Sequence, residues 1–179
     1  MARPLSYRLP ALALAAGLSA CGGGSAPDNA GTSAHPLAGQ IKALEDSGQI
    51  PRLDRSSDIR GPDADNNGIR DDIDAWIAAQ PITDPQKRAA QQMARVLQAK
   101  LLVVLNDKVA LQALGEATAA GVVCLSDVFA PNRQQGRDLG NMIEAITANT
   151  RARARQYLAY NRAVSGSSGR LPEGDTCEP

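Results

Sequence analysis

The stretch TDPQKRAAQQMARVLQAKLLVVL, Thr83 to Leu105, decides the fold of this 179-residue chain. It carries a stripe of side chains at helical spacing, and Leu102 and Val103 widen that stripe. A helix with so wide an apolar face packs against more than one neighbour. We therefore predict that this helix is central and buried on more than one side. The stripe consists of Met93, Val96, Leu97, Lys100, Leu101, Val104 and Leu105.

The two ends of this central helix are marked by local signals. The residue before a proline avoids helical torsions, so Asp84 is predicted to be the N-cap and Pro85 the first helical residue. The pair Asn106-Asp107 is expected to bend or break the chain after it.

Two shorter helices are predicted on the N-terminal side of the central one. The first falls within PLAGQIKALEDSGQIP, residues 36–51, and Gly48 and Pro51 end it. The second begins at Asp71 or Asp72 and stops at Gln80-Pro81. Its inward face is predicted to hold Ile69, Ile73, Trp76 and Ile77.

Two longer helices are predicted on the C-terminal side. One carries an apolar series from Val109 to Phe129 and ends at Ala130-Pro131-Asn132. The other is expected to run unbroken from about Gln134 to Val164. Its inward side is predicted to hold Leu139, Met142, Ile143, Ile146, Tyr157 and Leu158.

Composition agrees with a helical fold. Aromatic residues make up only 3% of the chain, so a core must be built from Leu, Val, Ile and Ala, which favours close-packed helices over a β-sandwich. No strand alternation, internal repeat or second domain is visible in the sequence. We predict an all-α fold, a small up-and-down bundle of four to five helices formed by residues 40–179.

The first twenty residues have the pattern of an export signal. MARPLSYR carries two positive charges, and LPALALAAGLSA is a short apolar run that ends in LSAC, Leu18 to Cys21. The last four residues resemble the lipobox of bacterial lipoproteins, in which the Cys becomes the mature N-terminus. An ordinary secretory leader cut near Ala20 is the alternative.

The lipobox resemblance implies that Cys21 carries acyl chains such as palmitate, which anchor the protein to a membrane. Gly22 rather than Asp follows it, which in that family points to the outer membrane, facing the periplasm. Residues 21–39 are rich in Gly, Ser and Ala and are predicted to be a flexible linker reaching about 25 Å on average. The only histidine, His35, falls in this linker and is expected to be solvated.

Two further cysteines, Cys124 and Cys177, suggest one disulfide in an exported protein. Such a bond would fix a tail rich in Gly and Ser to the helical body. On the chain-entropy model it would stabilise the fold by up to about 4 kcal/mol. A buried free Cys124 is the alternative.

The acidic loop, DADNNGIRDDID from Asp63 to Asp74, is the strongest candidate site. Calcium takes six to eight oxygen ligands, and a loop supplies them from alternate positions. Gly68 stands at the sixth position, where a sharp turn is needed. This order of residues is similar to the EF-hand, except that Arg70 replaces an apolar residue and Asp74 replaces Glu.

The acidic loop more closely resembles the thrombospondin type-3 calcium repeat. The resemblance covers twelve residues and implies a structural Ca²⁺ site. Asp72 is expected to point to solvent. An Asx-rich turn at the start of a helix, without metal, is the alternative. The predicted ligands are side chains of Asp63, Asp65, Asn67, Asp71 and Asp74, with the carbonyl of Ile69.

Other chemistry finds little support. The run with Arg151, Arg153 and Arg155 is interpreted as a solvated helix face, on which Arg151 and Arg155 lie together while Arg153 points elsewhere. Contact with an anionic envelope surface or with a partner protein is the alternative. Basic and acidic residues number 19 each, so net charge does not indicate a nucleic-acid partner. No phosphate loop, zinc motif or nucleophile elbow is present in the sequence, although carboxylates paired only in space would be invisible there.

The sequence therefore predicts a non-enzymatic, lipid-anchored envelope protein with a binding or maintenance role. A periplasmic chaperone or accessory protein for an exported partner, using an apolar groove between helices, is the alternative.

Overall fold

The computed structural model describes residues 36–48 and 50–179. The described residues form α-helices and no strand, so the predicted all-α fold is confirmed. The predicted signal peptide, Cys21 and His35 lie outside them. There are six helices in this region, one more than the upper prediction: α1 (Pro36–Asp46), α2 (Asp71–Ala78), α3 (Asp84–Leu102), α4 (Lys108–Val128), α5 (Arg133–Thr147) and α6 (Arg151–Ala163).

The central position of α3 is confirmed, because it packs against α2, α4, α5 and α6. The helix ends at Leu102, where Val103 turns to an extended conformation. The predicted stripe is therefore too long by one turn, and Val104 is 65% exposed. Its N-cap is Thr83 rather than Asp84: the Thr83 backbone N–H donates to Gln86 Oε1 at 3.0 Å, which closes the first turn.

The long C-terminal helix is wrong as predicted, because the chain breaks between α5 and α6. Thr150 caps α6 by accepting a hydrogen bond from the Arg153 backbone at 3.2 Å. The break changes which residues face inward, since helical phase is lost across residues 148–150. Leu158, beyond the break, is consequently 55% exposed. Within α5, Ile143 and Ile146 are buried as expected, but Met142 lies at the edge of the inward face and is 48% exposed.

The first helix, α1, begins before the predicted domain boundary. Residues 36–39, which the sequence places in the flexible linker, are helical. The helix ends before Gly48, whose φ of 73° favours glycine. Arg52 contacts Asp46 at 2.8 Å and Arg55 pairs with Glu45, so these ion pairs hold α1 against the segment that follows it.

The core has two parts. The larger part lies where α2, α3 and α5 meet, and the smaller part lies between α3 and α4 near the end of α4. The larger holds Ile69, Ile73, Ile77, Ala90, Met93, Ala94, Leu97, Ile143 and Ile146. The smaller holds Ala89, Cys124, Leu125 and Phe129, with the partly buried Cys177 against it.

The C-terminal tail is attached to the helical body at several points. Cys177 forms a disulfide with Cys124 of α4. Gln92 of α3 donates to the Thr176 carbonyl at 2.9 Å and accepts from the Glu178 backbone at 3.1 Å. Arg95 pairs with the Glu178 carboxylate. The tail therefore covers the part of α3 that no helix covers.

By length and composition α4 could also cross a membrane. In the structure it packs against α3 and α5, and the core of a helical bundle is built from helices of this kind.

Candidate metal centre

Three carboxylates of the acidic loop meet at one point. Asp63, Asp65 and Asp71 each offer an oxygen, and these three atoms lie within 4.8 Å of one another. Asp65 and Asp71 are exposed and Asp63 is partly buried. Like charges at this distance repel unless a cation or a set of hydrogen-bond donors compensates them. The three residues could therefore hold a metal ion.

Backbone N–H groups of the same loop supply part of the compensation. The Asp63 carboxylate accepts from the Asn67 and Gly68 amides, each at 3.1 Å. The Ala64 amide donates to Asp71 at 2.9 Å. Gly68 has a φ of 82°, as the predicted sharp turn requires. The loop is thus folded around its own carboxylates, with their oxygens gathered on one side.

Asn67 and Asp74, which are predicted as metal ligands, instead form hydrogen bonds with each other and with neighbouring side chains. Asn67 Nδ2 donates to Asp65 at 3.0 Å and to Asp74 at 2.9 Å, while Asn67 Oδ1 accepts from the Ile69 amide at 2.8 Å. The side-chain nitrogen of Asn67, not its oxygen, therefore faces the carboxylates. Asp74 also accepts from Gln91 of α3 at 2.9 Å, so it links the loop to the central helix. Before Asn67 could bind a cation, its carboxamide would have to turn over.

The donor set suits a hard cation. The three clustered side chains offer only carboxylate oxygens, and neither thiolate nor imidazole is among them. Oxygen-only sets of this kind bind Ca²⁺, Mg²⁺ or Mn²⁺ rather than zinc or copper. Three clustered carboxylates fall short of a full calcium shell, so further ligands would come from Asp74, from a reoriented Asn67, or from water.

Arg70, one of the two residues that depart from the EF-hand pattern, attaches the acidic loop to the helical body. Its side chain is fully buried. The guanidinium donates to the Ile146 carbonyl at 3.0 Å and to the Thr147 carbonyl at 3.4 Å, at the C-terminal end of α5. A cation at this end satisfies unpaired carbonyls and the negative end of the helix dipole. Arg70 therefore fixes the acidic loop to α5.

The predicted exposure of Asp72 is wrong. Its carboxylate accepts two hydrogen bonds from Arg70, at 2.5 and 3.0 Å, and one from the Asp54 backbone at 2.6 Å. A buried guanidinium needs a counter-charge, so Asp72 turns inward to provide it. Asp72 is therefore a structural residue and is not free to act as a metal ligand.

The prediction of a solvated arginine face holds for Arg151 and Arg155, which are exposed, but not for Arg153. The Arg153 side chain is fully buried and makes five hydrogen bonds, four with the segment before the acidic loop and one with Asn149 in the turn before α6. The acceptors are the carbonyls of Asp54, Ile59 and Asp58, the Asp54 carboxylate and Asn149 Oδ1. This arginine organises a stretch of chain that has no regular secondary structure.

Gly61 separates the two buried arginines. Its φ is 70°, and a Cβ there would lie 2.3 Å from Arg70 Cδ and 2.9 Å from Arg153 Nη2. Both the backbone conformation and the contact therefore require glycine. The two guanidinium groups pack beneath the acidic loop only because this position has no side chain.

The pKa of Asp54 is lowered by its contact with the buried Arg153. Burial favours the neutral acid, but hydrogen bonds from Arg153 and Ser56 outweigh it and lower the pKa of Asp54 to about 2. Asp54 is therefore charged throughout the physiological range, as the buried arginine requires.

No family model, curated protein or solved structure matches this chain. The features of the chain that bear on function are the chemistry of the acidic loop and the sequence of the leader.

Proposed function

We propose that this protein is a lipid-anchored envelope protein of the bacterial periplasm whose helical domain is stabilised by a calcium ion in the acidic loop. Its role is binding or envelope maintenance rather than catalysis. The observation that carries the calcium assignment is the convergence of the Asp63, Asp65 and Asp71 oxygens, in a loop whose residue order already matches a calcium repeat.

Calcium fits this loop better than magnesium for a geometric reason. Magnesium demands a near-ideal octahedron of short bonds, whereas calcium accepts an irregular shell of carboxylates, carbonyls and water. The acidic loop offers flexible carboxylates on one strand of chain, two of them exposed. A single loop of this kind is expected to bind calcium with a dissociation constant on the order of 0.1 to 1 mM, as extracellular modules do.

The expected consequence of binding is stability. Ile69 and Arg70 lie between the clustered ligands Asp65 and Asp71 and are both buried, and α2 begins at Asp71. A cation that neutralises the clustered carboxylates would therefore hold the loop in the conformation that seats these residues. Trp76 packs against the larger core from α2, so its fluorescence should report this change.

The anchor rests on the leader sequence. Acylation of Cys21 would hold the domain at the membrane surface through the linker, and Gly22 favours the outer membrane. A non-enzymatic role is favoured because Cys124 and Cys177 are joined in a disulfide and the only histidine lies in the predicted linker.

Titration with calcium while Trp76 fluorescence is recorded tests the site. We expect a saturable change with a midpoint on the order of 0.1 to 1 mM. Asp65→Asn should abolish this response. Asp138→Asn, an exposed aspartate on α5, should leave it unchanged. A wild-type protein that gives no fluorescence response up to several millimolar calcium would exclude the calcium site.

The lipid anchor is tested separately: Cys21→Ala should release the protein from membranes.

A further inference from the structure

A groove between α3, α4 and α5 lies apart from the acidic loop. Its volume is about 370 Å³, within the range typical of small-molecule sites. Most of its wall is apolar. The apolar residues lining it are Met93, Leu97, Val122 and Leu125.

Lys100 brings a buried charge to this groove. Its side chain lies in the groove wall, yet only 6% of the residue is exposed. The ammonium group lies over the Tyr160 ring, 5.4 Å from its centre. Within residues 36–48 and 50–179 it has neither an ion pair nor a hydrogen-bond acceptor. A largely buried cation that lies over an aromatic face and has no ion pair remains able to bind an anion.

The charges around the groove favour the same kind of ligand. Lys100 and Arg137 line it against one carboxylate, Glu144, which leaves an excess of one positive charge. Glu144 is exposed and lies beyond ion-pair distance from Lys100. Burial lowers the pKa of Lys100, and the negative charge of Glu144 opposes that effect.

Two glycines of α5 let this helix pack closely against α4 beside the groove. A Cβ at Gly136 would lie 2.8 Å from the Leu125 carbonyl oxygen, and one at Gly140 would lie 3.2 Å from Leu125 Cδ2. Side chains at these two positions would bring α5 into collision with α4. The close approach of the two helices fixes Leu125 in the groove wall, which presents an apolar surface to a ligand.

We propose that this groove binds a small amphipathic carboxylate, with the carboxylate at Lys100 Nζ and the apolar chain against Met93, Leu97 and Val122. At about 30 Å³ for each non-hydrogen atom, the groove has room for roughly a dozen such atoms. Carboxylic acids of about ten carbons have this size. The groove is independent of the acidic loop, and its ligand does not depend on bound calcium.

Decanoate and decanol, which have the same chain and differ in charge, distinguish this proposal from simple apolar binding. By calorimetry we expect decanoate to bind the wild-type protein at least about tenfold more tightly than decanol, as a charge-assisted hydrogen bond would produce. Lys100→Met should weaken decanoate binding to the level of decanol. Lys108→Met, which removes an exposed charge at the start of α4, should change neither.

A second variant keeps the groove lysine and removes the space. Val122→Trp should fill the groove and abolish binding of both ligands, and it should fold because Val122 is 48% exposed. The proposal is overturned if decanol binds as tightly as decanoate, if Lys100→Met retains full decanoate affinity, or if Val122→Trp still binds. The proposal is also overturned if decanoate shows no saturable binding up to about 5 mM, which corresponds to a binding free energy weaker than about −3 kcal/mol.

Discussion

At the scale of single residues, the fold depends on two arginines whose charges are fully removed from water. Arg70 and Arg153 each find a carboxylate, Asp72 and Asp54, and the remaining N–H groups find backbone carbonyls. Burying an ion is costly unless its partners are complete, and removing one partner leaves the other charge uncompensated. Both arginines should therefore tolerate no neutral substitute.

Replacing Arg153 tests this directly. Arg153→Met would leave the partly buried Asp54 carboxylate without its counter-charge and three backbone carbonyls without their donor, and we expect a loss of about 3 kcal/mol in the free energy of unfolding. Arg155→Met, which removes an exposed arginine two residues away, should cost less than about 0.5 kcal/mol. Urea denaturation measures both. Equal effects would show that Arg153 contributes no more than a surface charge.

The lowered pKa of Asp54 predicts a dependence of stability on pH. A carboxyl group whose pKa is lower in the folded state stabilises the protein fully above its unfolded pKa, and this contribution is lost as pH falls through the folded value. The folded pKa of Asp54 is about 2, against an ordinary value of 3.8. Its contribution should therefore be complete above about pH 5 and be lost progressively as the pH falls through 3.8 towards 2.

The matched control for this prediction is Asp54→Asn, which cannot ionise. The difference in unfolding free energy between wild type and this variant should be constant from pH 7 to about pH 5 and should shrink towards pH 2. A difference that is independent of pH across this range would contradict the role given to the Asp54 charge.

The residue scale also shows why part of the site was predictable. Asp63, Asp65 and Asp71 could be placed together because ligand spacing within one short loop is a local property of the sequence. The inward turn of Asp72 depends on the buried Arg70, whose own partners include carbonyls 76 and 77 residues further along the chain. The spacing of residues in the sequence does not predict a contact over such a distance. The one available signal was Arg70 itself, because related loops have an apolar residue at that position.

At the scale of elements, the positions of α2 and α4 were predicted well. α2 and α4 begin and end close to the expected residues, and Asp107 caps α4 by accepting from Val109 and Ala110. The break between α5 and α6 was missed because apolar residues recur at similar spacing on both sides of it. What ends α5 comes from elsewhere: Arg70 binds its last carbonyls, and Asn149 donates to the Asp54 carbonyl at 2.8 Å.

The docking of the C-terminal tail gives a prediction at this scale. Cys177→Ser would remove the bond to α4 and loosen the contacts of Thr176 and Glu178 with α3. We expect a loss of about 2–4 kcal/mol in unfolding free energy. Glu178→Gln removes only a partly exposed ion pair and should cost less than about 1 kcal/mol. Guanidinium denaturation distinguishes them, and a Cys177→Ser variant as stable as Glu178→Gln would show that the disulfide adds nothing.

At the scale of the whole molecule, one central helix contacts four other helices, the C-terminal tail and the acidic loop. α3 packs against four helices, binds the tail through Gln92 and Arg95, and reaches the acidic loop through Gln91. The acidic loop in turn is fixed to α5 through Arg70. A cation in the loop would therefore stabilise a junction to which α2, α3 and α5 all contribute, and its effect should appear as a change in global stability.

Thermal unfolding with and without calcium tests this central claim most directly. With a dissociation constant of about 1 mM, 10 mM calcium should add about 1.4 kcal/mol and raise the midpoint by about 2–5 °C. Magnesium at the same concentration should raise it less, and Asp65→Asn should remove the calcium effect. The same midpoint in calcium and in chelator for the wild-type protein, or an equal shift in Asp65→Asn, would contradict a calcium-stabilised domain.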